Sequence, residues 1–202
     1  FKSFIPDFLK GNKFTYLPNG VDEDYFKIVD RSFALNNLEL DNSATYILFV
    51  SSKNLYRRQK RYDLFQDTIA ELRKLNPSKN YQALTMSTDD RNTALLKFNA
   101  SSIHFLSSDY EGSPNSVKEA LCCGVQVVTR EAGSVRDLVS NVPGCVVVDS
   151  DDPCKLAYTI DKNLVNEVSR MSIRKEFLKK NITRSTISNN LVSLYSKEIN
   201  HS

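Results

Sequence analysis

Residues 103–129 read IHFL-SSDYEGSPNSVKEALCCG-VQVVT. Two short apolar runs, Ile103 to Leu106 and Val125 to Thr129, bracket a polar loop and a stretch, Ser113 to Cys123, whose apolar residues recur at helical spacing. Neither run alternates polar with apolar, which is the pattern of a strand buried on both faces of a parallel sheet. Strand, loop, helix and strand in so short a span make one β-α-β unit, and the rest of the chain repeats it.

Upstream, Tyr46 to Val50 reads as another two-sided strand. A basic loop follows over 51–61, then a helix carrying Leu64, Phe65, Thr68, Ile69, Leu72 and Leu75 on one face, stopped by Pro77. Tyr81 to Met86 predicts a strand and Thr93 to Ala100 a short helix. Downstream, Ser134 to Val139 predicts a short helix and Cys145 to Val148 a strand. A helix follows over Asp152 to Leu164, with Asp152 as N-cap and Pro153 at its first position. The tail from about Glu167 reads as helical and amphipathic, with Leu191, Leu194 and Tyr195 as a late apolar stripe. Residues 1–45 carry no sustained period; Pro18-Asn19-Gly20 is a turn signal, and 38–43 is polar and loop-like. Alternating strands and helices predict an α/β fold with a parallel sheet and flanking helices. In such sheets ligands sit beyond the carboxyl ends of the strands, which directs attention to loops 51–61, 86–92, 107–116 and 130–134.

The loop 107–116 is the richest of these. Ser113 reads as an N-cap with Pro114 at the first helical position, and Val117, Ala120 and Leu121 share a core face. Asn115 and Glu119, four apart, share another face. A helix start presents unpaired N–H groups and a partial positive charge, suited to a phosphate or a sugar hydroxyl. Gly112 permits close approach of a ligand to the backbone. Glu119 can accept both hydroxyls of a ribose and Glu111 those of a sugar. The plain alternative is a solvated helix glutamate and ordinary capping. The basic loop also has two readings: a solvated surface, or a phosphate clamp formed by Lys53, Arg57, Arg58, Lys60 and Arg61.

Composition narrows the function classes. The 202 residues are 41% hydrophobic and 25% charged, enough apolar material for a core. A net charge of +3 does not mark a nucleic-acid binder. No G-x-G-x-x-G or Walker A fingerprint occurs. Cys122, Cys123, Cys145 and Cys154 form no C-x-x-C pair and the only histidines are His104 and His201, so a metal site is not expected and the thiols are expected buried and reduced. His104 lies within a strand and reads as a core or edge histidine rather than a catalytic one. No apolar run is long enough to span a bilayer, and residues 1–15 lack a signal-peptide pattern. The chain opens on Phe1, which points to a piece of a longer protein.

The ordered set Pro18-Asn19-Gly20-Val21-Asp22 with Phe26, then Glu111-Gly112-Ser113-Pro114-Asn115, Lys118-Glu119-Ala120, Cys123-Gly124, Val127-Val128-Thr129 and Gly133 closely resembles the retaining GT-B glycosyltransferases of family 4. The motif-bearing part runs from Pro18 to about Asp149; the tail, with Arg174 and Leu194-Tyr195, fits more weakly. The resemblance implies the C-terminal, donor-binding half of a GT-B fold, Rossmann-like. Residues 1–45 would be the end of the N-terminal half and a linker, 46–165 the nucleotide-sugar domain, and 166–202 C-terminal helices. It further implies transfer of a hexose-type sugar, with retention, from a UDP- or GDP-type donor to a glycan or lipid-linked acceptor. Glu111 and Lys60 would be catalytic. Arg57, Arg58, Gly112, Ser113, Pro114, Asn115, Ser116 and Glu119 would bind substrate, Glu119 at the ribose and Lys60 with an arginine at the diphosphate; Arg57, Arg58 and a substitution by Lys53 are all open for that arginine. No cofactor or metal is implied. The acceptor-binding half would be a separate domain, without which this one is inactive, and the setting cytoplasmic, at the inner face of a membrane.

Several positions depart from the family pattern. Gln126 stands where Pro is usual, Arg61 where Gly follows the lysine, and Ser102 where Asp is usual. The chain between Tyr81 and Asn99 is shorter than in most relatives, in the region that normally helps hold the base. Two other readings stay open: a non-catalytic nucleotide- or carbohydrate-binding module, and a nucleotide-sugar epimerase of the same architecture.

Overall fold

The computed structural model describes residues 17–166 and 168–199. Residues 1–16 of the 1–45 segment read as the end of a preceding half and a linker, and with them the reading of 1–15 as lacking a signal-peptide pattern, lie outside the described residues. Five strands form one parallel sheet: β1 (Thr45–Val50), β2 (Tyr81–Met86), β3 (Ile103–Leu106), β4 (Gln126–Arg130) and β5 (Cys145–Val148), in the order β2-β1-β3-β4-β5. Among the described residues eight α-helices connect and flank them: α1 (Arg31–Asn37), α2 (Tyr62–Leu75), α3 (Arg91–Ala100), α4 (Asn115–Cys122), α5 (Val135–Val139), α6 (Pro153–Val165), α7 (Arg170–Leu178) and α8 (Arg184–Ile199).

The pleat sends successive side chains to opposite faces, so each strand feeds two cores. Ile47, Phe49, Ile103, Phe105 and Val128 pack with Leu64, Phe65, Ile69 and Leu72 of α2 and Leu156, Ala157 and Ile160 of α6. Tyr46, Leu48, Leu106 and Val127 face the other way, onto Ala34 and Leu35 of α1, Phe98 of α3, Val117, Ala120 and Leu121 of α4, Leu138 of α5 and Ile173 and Phe177 of α7. Burial of a Leu or Phe of this kind contributes about 2 kcal/mol relative to exposure. The two-sided burial explains the absence of polar alternation in the strands.

Element ends follow local chemistry. Asp90 and Asp152 cap α3 and α6, accepting from Asn92 and Thr93 N–H and from Cys154 N–H respectively. The last turn of α4 closes with Gly124 N–H to Leu121 O and Val125 N–H to Ala120 O while Gly124 takes φ +68. Val125 is thereby tied to the helix, and β4 begins one residue later than the apolar run suggested.

Three expectations need correction. Ser113 does not cap α4: Pro114, at φ −66 and ψ 114, is the cap residue, and the helix starts at Asn115. The stretch 1–45 contains α1, capped by Asp30 accepting from Phe33 N–H; its single turn-pair of buried residues, Ala34 and Leu35, is too short to show a period. The late stripe of α8 is no core face: Leu191 and Tyr195 are 41% and 64% exposed. The ties of α8 sit in its first turn, where Arg184 N–H donates to Val21 O and the Arg184 guanidinium pairs with Asp22.

Arg174 joins the tail to the body. Its guanidinium donates to Phe26 O at 2.7 Å, Cys122 O at 2.5 Å and Glu23 O at 2.7 Å. Removing it leaves these acceptors without a donor in a partly buried setting, so Arg174→Ala is expected to cost about 3 kcal/mol in urea unfolding, with Arg174→Lys recovering only part because an ammonium lacks the planar fork.

Candidate functional site

The loops after β1, β3 and β4 meet at one end of the sheet. After β1, the chain runs through Ser51 to Arg57, makes a 3-10 turn over Arg58–Lys60, and enters α2 at Arg61. Arg61 takes φ +52, a conformation that costs little for glycine and more for any other residue. Its side chain is held there by Asp63 and Asp109, each at 3.1 Å. The turn places Lys60 inward. Lys60 Nζ donates to Glu111 Oε1 at 2.6 Å, with both side chains only 12% exposed. Ser108 Oγ donates to the same oxygen at 2.8 Å. Glu111 Oε2 has no protein donor among the described residues. Ser107 Oγ donates to the carbonyls of Lys60 and Arg61, tying the β3 loop to the β1 loop from beneath.

The β4 loop presses on the same segment. A Cβ built on Gly133, at φ +60, would stand 1.8 Å from Glu111 O. Ser134 N–H donates to Gly112 O at 3.1 Å. Only a residue without a side chain lets these two loops touch. Gly112 is the opposite case, since a Cβ there would meet nothing within 4 Å; the protein's own packing gives no reason for a glycine. Two buried side-chain hydroxyls lack a hydrogen-bond partner among the described residues, Ser113 and Ser134, and they flank Gly112 on its two sides. The N–H groups of Asn115, Ser116 and Val117 likewise have no protein acceptor among the described residues; the first backbone bond of α4 comes from Lys118 N–H to Pro114 O. Buried hydroxyls are rarely left unpaired in a native protein, and the first N–H groups of a helix are free to meet water or a ligand.

His104, fully buried in β3, supports this helix start. Its Nδ1 lies 3.1 Å from Leu48 O, which can only accept, so Nδ1 carries the proton and Nε2 accepts from Ser116 Oγ at 3.2 Å. Burial pushes its pKa down to about 4, which keeps the ring neutral and in this role rather than as a proton shuttle. Lys118, also fully buried, donates to Asn19 O at 2.7 Å and fastens the Pro18-Asn19-Gly20 turn to α4. Sequence gave no sign of a buried lysine here.

Glu119 and Asn115 line a cavity of about 480 Å³ together with Asp22, Phe26, Asp89, Arg91 and Arg184. Glu119 is partly buried and has no hydrogen-bond or ion-pair partner among the described residues; burial raises its carboxyl above the usual range, against smaller opposing effects of Lys118 and Arg91. The structure thus joins Lys60 to Glu111, and Asn115 to Glu119, on the two sides of the α4 start. It does not bring Arg57 and Arg58 to either pair. They line a separate cavity of about 440 Å³ with Tyr56, Arg61, Tyr62, Asp63 and Asp109, and Arg57 donates to Ser52 Oγ. Asp22, Arg91, Arg184, Ser108 and Asp109 were not singled out as site residues from the sequence; the Asp22 motif was noted, but nothing in the spacing linked it to Arg91 or Arg184. Cys122, Cys123, Cys145 and Cys154 are free thiols; the first two are buried and Cys154 is exposed, which corrects the expectation of burial for all four. Among the described residues no group of three His, Cys, Asp or Glu is placed to hold a metal ion, and no helix is long and apolar enough to cross a membrane.

Gly133→Ala sets a steric demand at the Glu111 carbonyl and adds a side chain at positive φ. It is expected to cost about 3 kcal/mol in denaturant unfolding, whereas Gly112→Ala, with open space around it, should leave unfolding nearly unchanged.

The fold has known counterparts. Sucrose-phosphate synthase from Thermosynechococcus elongatus superimposes with a TM-score of 0.76 at 16% identity, over 96% of this chain and 54% of that one. The Anabaena protein HepE, in complex with UDP and glucose, superimposes with a TM-score of 0.69 at 15% identity, over 90% of this chain and 56% of that one. The C-terminal domain of a glycosyl transferase group 1 family protein, LpcC, from Francisella tularensis gives 0.61 at 14% identity, over 84% of this chain and 97% of that domain. This chain therefore spans about half the length of the first two and nearly all of the excised domain. No curated protein matches it in sequence. The sequence model of the glycosyl transferases group 1 matches residues 65–180, more than half of the chain, and the chain belongs to that family.

Proposed function

We propose that this chain is the donor-binding half of a retaining glycosyltransferase of family 4, transferring a hexose-type sugar from a UDP- or GDP-type donor to a glycan or lipid-linked acceptor. The single observation that carries the reading is the unpaired start of α4: the Ser113 and Ser134 hydroxyls and the N–H groups of Asn115 to Val117 have no protein partners among the described residues, with Lys60 held two residues away on Glu111. Converging donors of this kind suit an anion, and a diphosphate is the anion that the family's chemistry releases. The UDP and glucose in the HepE complex support the same ligand class.

In this reading residues 46–165 hold the donor. The α4 amides, that of Ser116 among them, meet the diphosphate with the Ser113 hydroxyl, and Lys60 adds positive charge as the bond to the anomeric carbon breaks. Electrons of that bond pass to the diphosphate oxygen, the acceptor hydroxyl oxygen forms the new bond on the same face of the sugar, and its proton passes to the departing diphosphate oxygen. Glu111, neutralised on one oxygen by Lys60 and Ser108, keeps its second oxygen for a sugar hydroxyl. Glu119, without a protein partner, accepts from the two ribose hydroxyls. Arg57 and Arg58 face the neighbouring cavity and are assigned to the mouth of the site rather than to the diphosphate. The acceptor belongs to a second domain, so the isolated chain binds donor without transferring sugar.

Titration calorimetry with UDP and GDP tests this. One of them should bind, and Glu119→Gln should weaken it about tenfold through loss of a charged acceptor. Wild-type affinity should also fall on acidification at a higher pH than an ordinary glutamate would give, because the raised carboxyl protonates early and then loses an acceptor site. The sign for stability is opposite. A raised folded-state pKa means the ionised form is penalised in the fold above that pKa, so Glu119→Gln should melt higher than wild type at pH 7, with the gap closing below the ordinary glutamate range. Absence of binding by either nucleotide at millimolar concentration would favour a non-catalytic module.

A further inference from the structure

The cavity beside Glu119 has a wall that the sugar and diphosphate do not use. Ribose bound at Glu119 through its two hydroxyls carries its base on the adjacent carbon, so the base must lie within the same cavity. The walls there are Asp22, Phe26, Asp89, Arg91, Ala94 and Arg184. Asp89 is engaged by Lys97 and by Ser87 N–H, and Asp22 by Arg91 and Arg184. Arg184 shares the Asp22 contact and is 64% exposed, but among the described residues only Arg91 of the two is seated on an aromatic ring. The connection from β2 to α3 is four residues, 87–90, so the first residue of α3 arrives directly at the cavity. Its guanidinium lies 4.1 Å from the Tyr25 ring centroid. One edge is fixed by Asp22 Oδ2 at 2.8 Å. Its side chain is nevertheless 58% exposed, and its Nε and Nη1 have no protein acceptor among the described residues.

We infer that Arg91 is the specificity-determining residue for the nucleobase, a fixed planar cation that takes a base bearing exocyclic carbonyl oxygens, uracil or guanine, in preference to adenine. The inference rests on the donor-site reading above, in which Glu119 holds the ribose. Tyr25 supports one face of the guanidinium and Asp22 fixes its rotation, so the exposed face is a ready platform for a second π-system. The unpaired N–H groups at its edge meet a carbonyl oxygen, which uracil and guanine present and adenine lacks. In this cavity Asp22 and Asp89 are already occupied by cations and Glu119 is taken by the ribose, so they do not compete for the exocyclic amine of adenine.

Calorimetry of this chain with UMP, GMP, AMP and ribose 5-phosphate at one ionic strength tests the assignment. Wild type should bind UMP or GMP more tightly than AMP or ribose 5-phosphate. Arg91→Ala should weaken the preferred nucleotide about tenfold, the scale of a stacked cation and one charged hydrogen bond, and leave ribose 5-phosphate unchanged. Arg91→Lys, which keeps the charge but not the plane, should show a similar loss and checks that the effect is not one of misfolding; thermal melts of both variants should stay close to wild type, as an exposed side chain allows. Equal weakening of the nucleotide and of ribose 5-phosphate would reassign Arg91 to the phosphate field and overturn the inference. So would unchanged nucleotide affinity in Arg91→Ala, or AMP binding as tightly as the others, either of which leaves the donor-site reading standing. Failure of wild type to bind any of the four removes both.

Discussion

Glu111 is where three loops are held at one distance. Lys60 from the β1 loop and Ser108 from the β3 loop donate to its carboxylate, and Gly133 from the β4 loop rests on its carbonyl. An ion pair this enclosed is costly to form and costly to break, because removing either partner strands a charge out of water. Its value here is positional. It fixes the turn that precedes α4, and with it the direction in which the helix's first N–H groups point. The same turn is braced by Ser134 N–H on Gly112 O, so the segment 111–114 has little freedom to relax onto its own unpaired donors.

The polar groups around that turn divide into two kinds. Those that hold the scaffold are satisfied: His104 between Leu48 and Ser116, Lys118 on Asn19, Arg174 on three carbonyls. Those around the helix start have no partner among the described residues: the buried Ser113 and Ser134 hydroxyls, one oxygen of Glu111, and both of Glu119. A fold that pairs its polar groups so thoroughly elsewhere and leaves these unpaired together is poorly explained by packing alone and well explained by a polyanionic, polyhydroxylated ligand.

Much of this was legible in the chain. The non-alternating runs at Tyr46 to Val50 and Ile103 to Leu106 announce two-sided burial, and Asp152-Pro153 marks a helix start to the residue. The change of apolar spacing between Ile103 to Leu106 and Ser113 to Cys123 located the β3–α4 junction. What stayed hidden depends on contacts far apart in sequence. Ser113 looked like a cap because Ser-Pro so often is one; in the structure Pro114 takes the cap position and the hydroxyl is left over. Gly133 looked like one motif glycine among several until its Cα met Glu111. Arg57, Arg58 and Lys53 stood open for the arginine beside Lys60; in the structure the 3-10 turn over Arg58–Lys60 brings Lys60 to Glu111, while Arg57 and Arg58 line a separate cavity. Arg61 at φ +52 keeps the backbone shape that glycine would give, with Asp63 and Asp109 holding the side chain.

The account turns on the opening of α4 being the place where an anion lands. The most direct measurement is an amide-resolved NMR titration of this chain with UDP and GDP. The expected result is that the N–H signals of Ser113, Asn115 and Ser116 shift together and saturate with one affinity, accompanied by Gly112 and Ser134. Shifts confined to the opposite end of the sheet, around Thr45, Ser102 and Gly124, with the 112–116 amides unmoved at saturation, would contradict it.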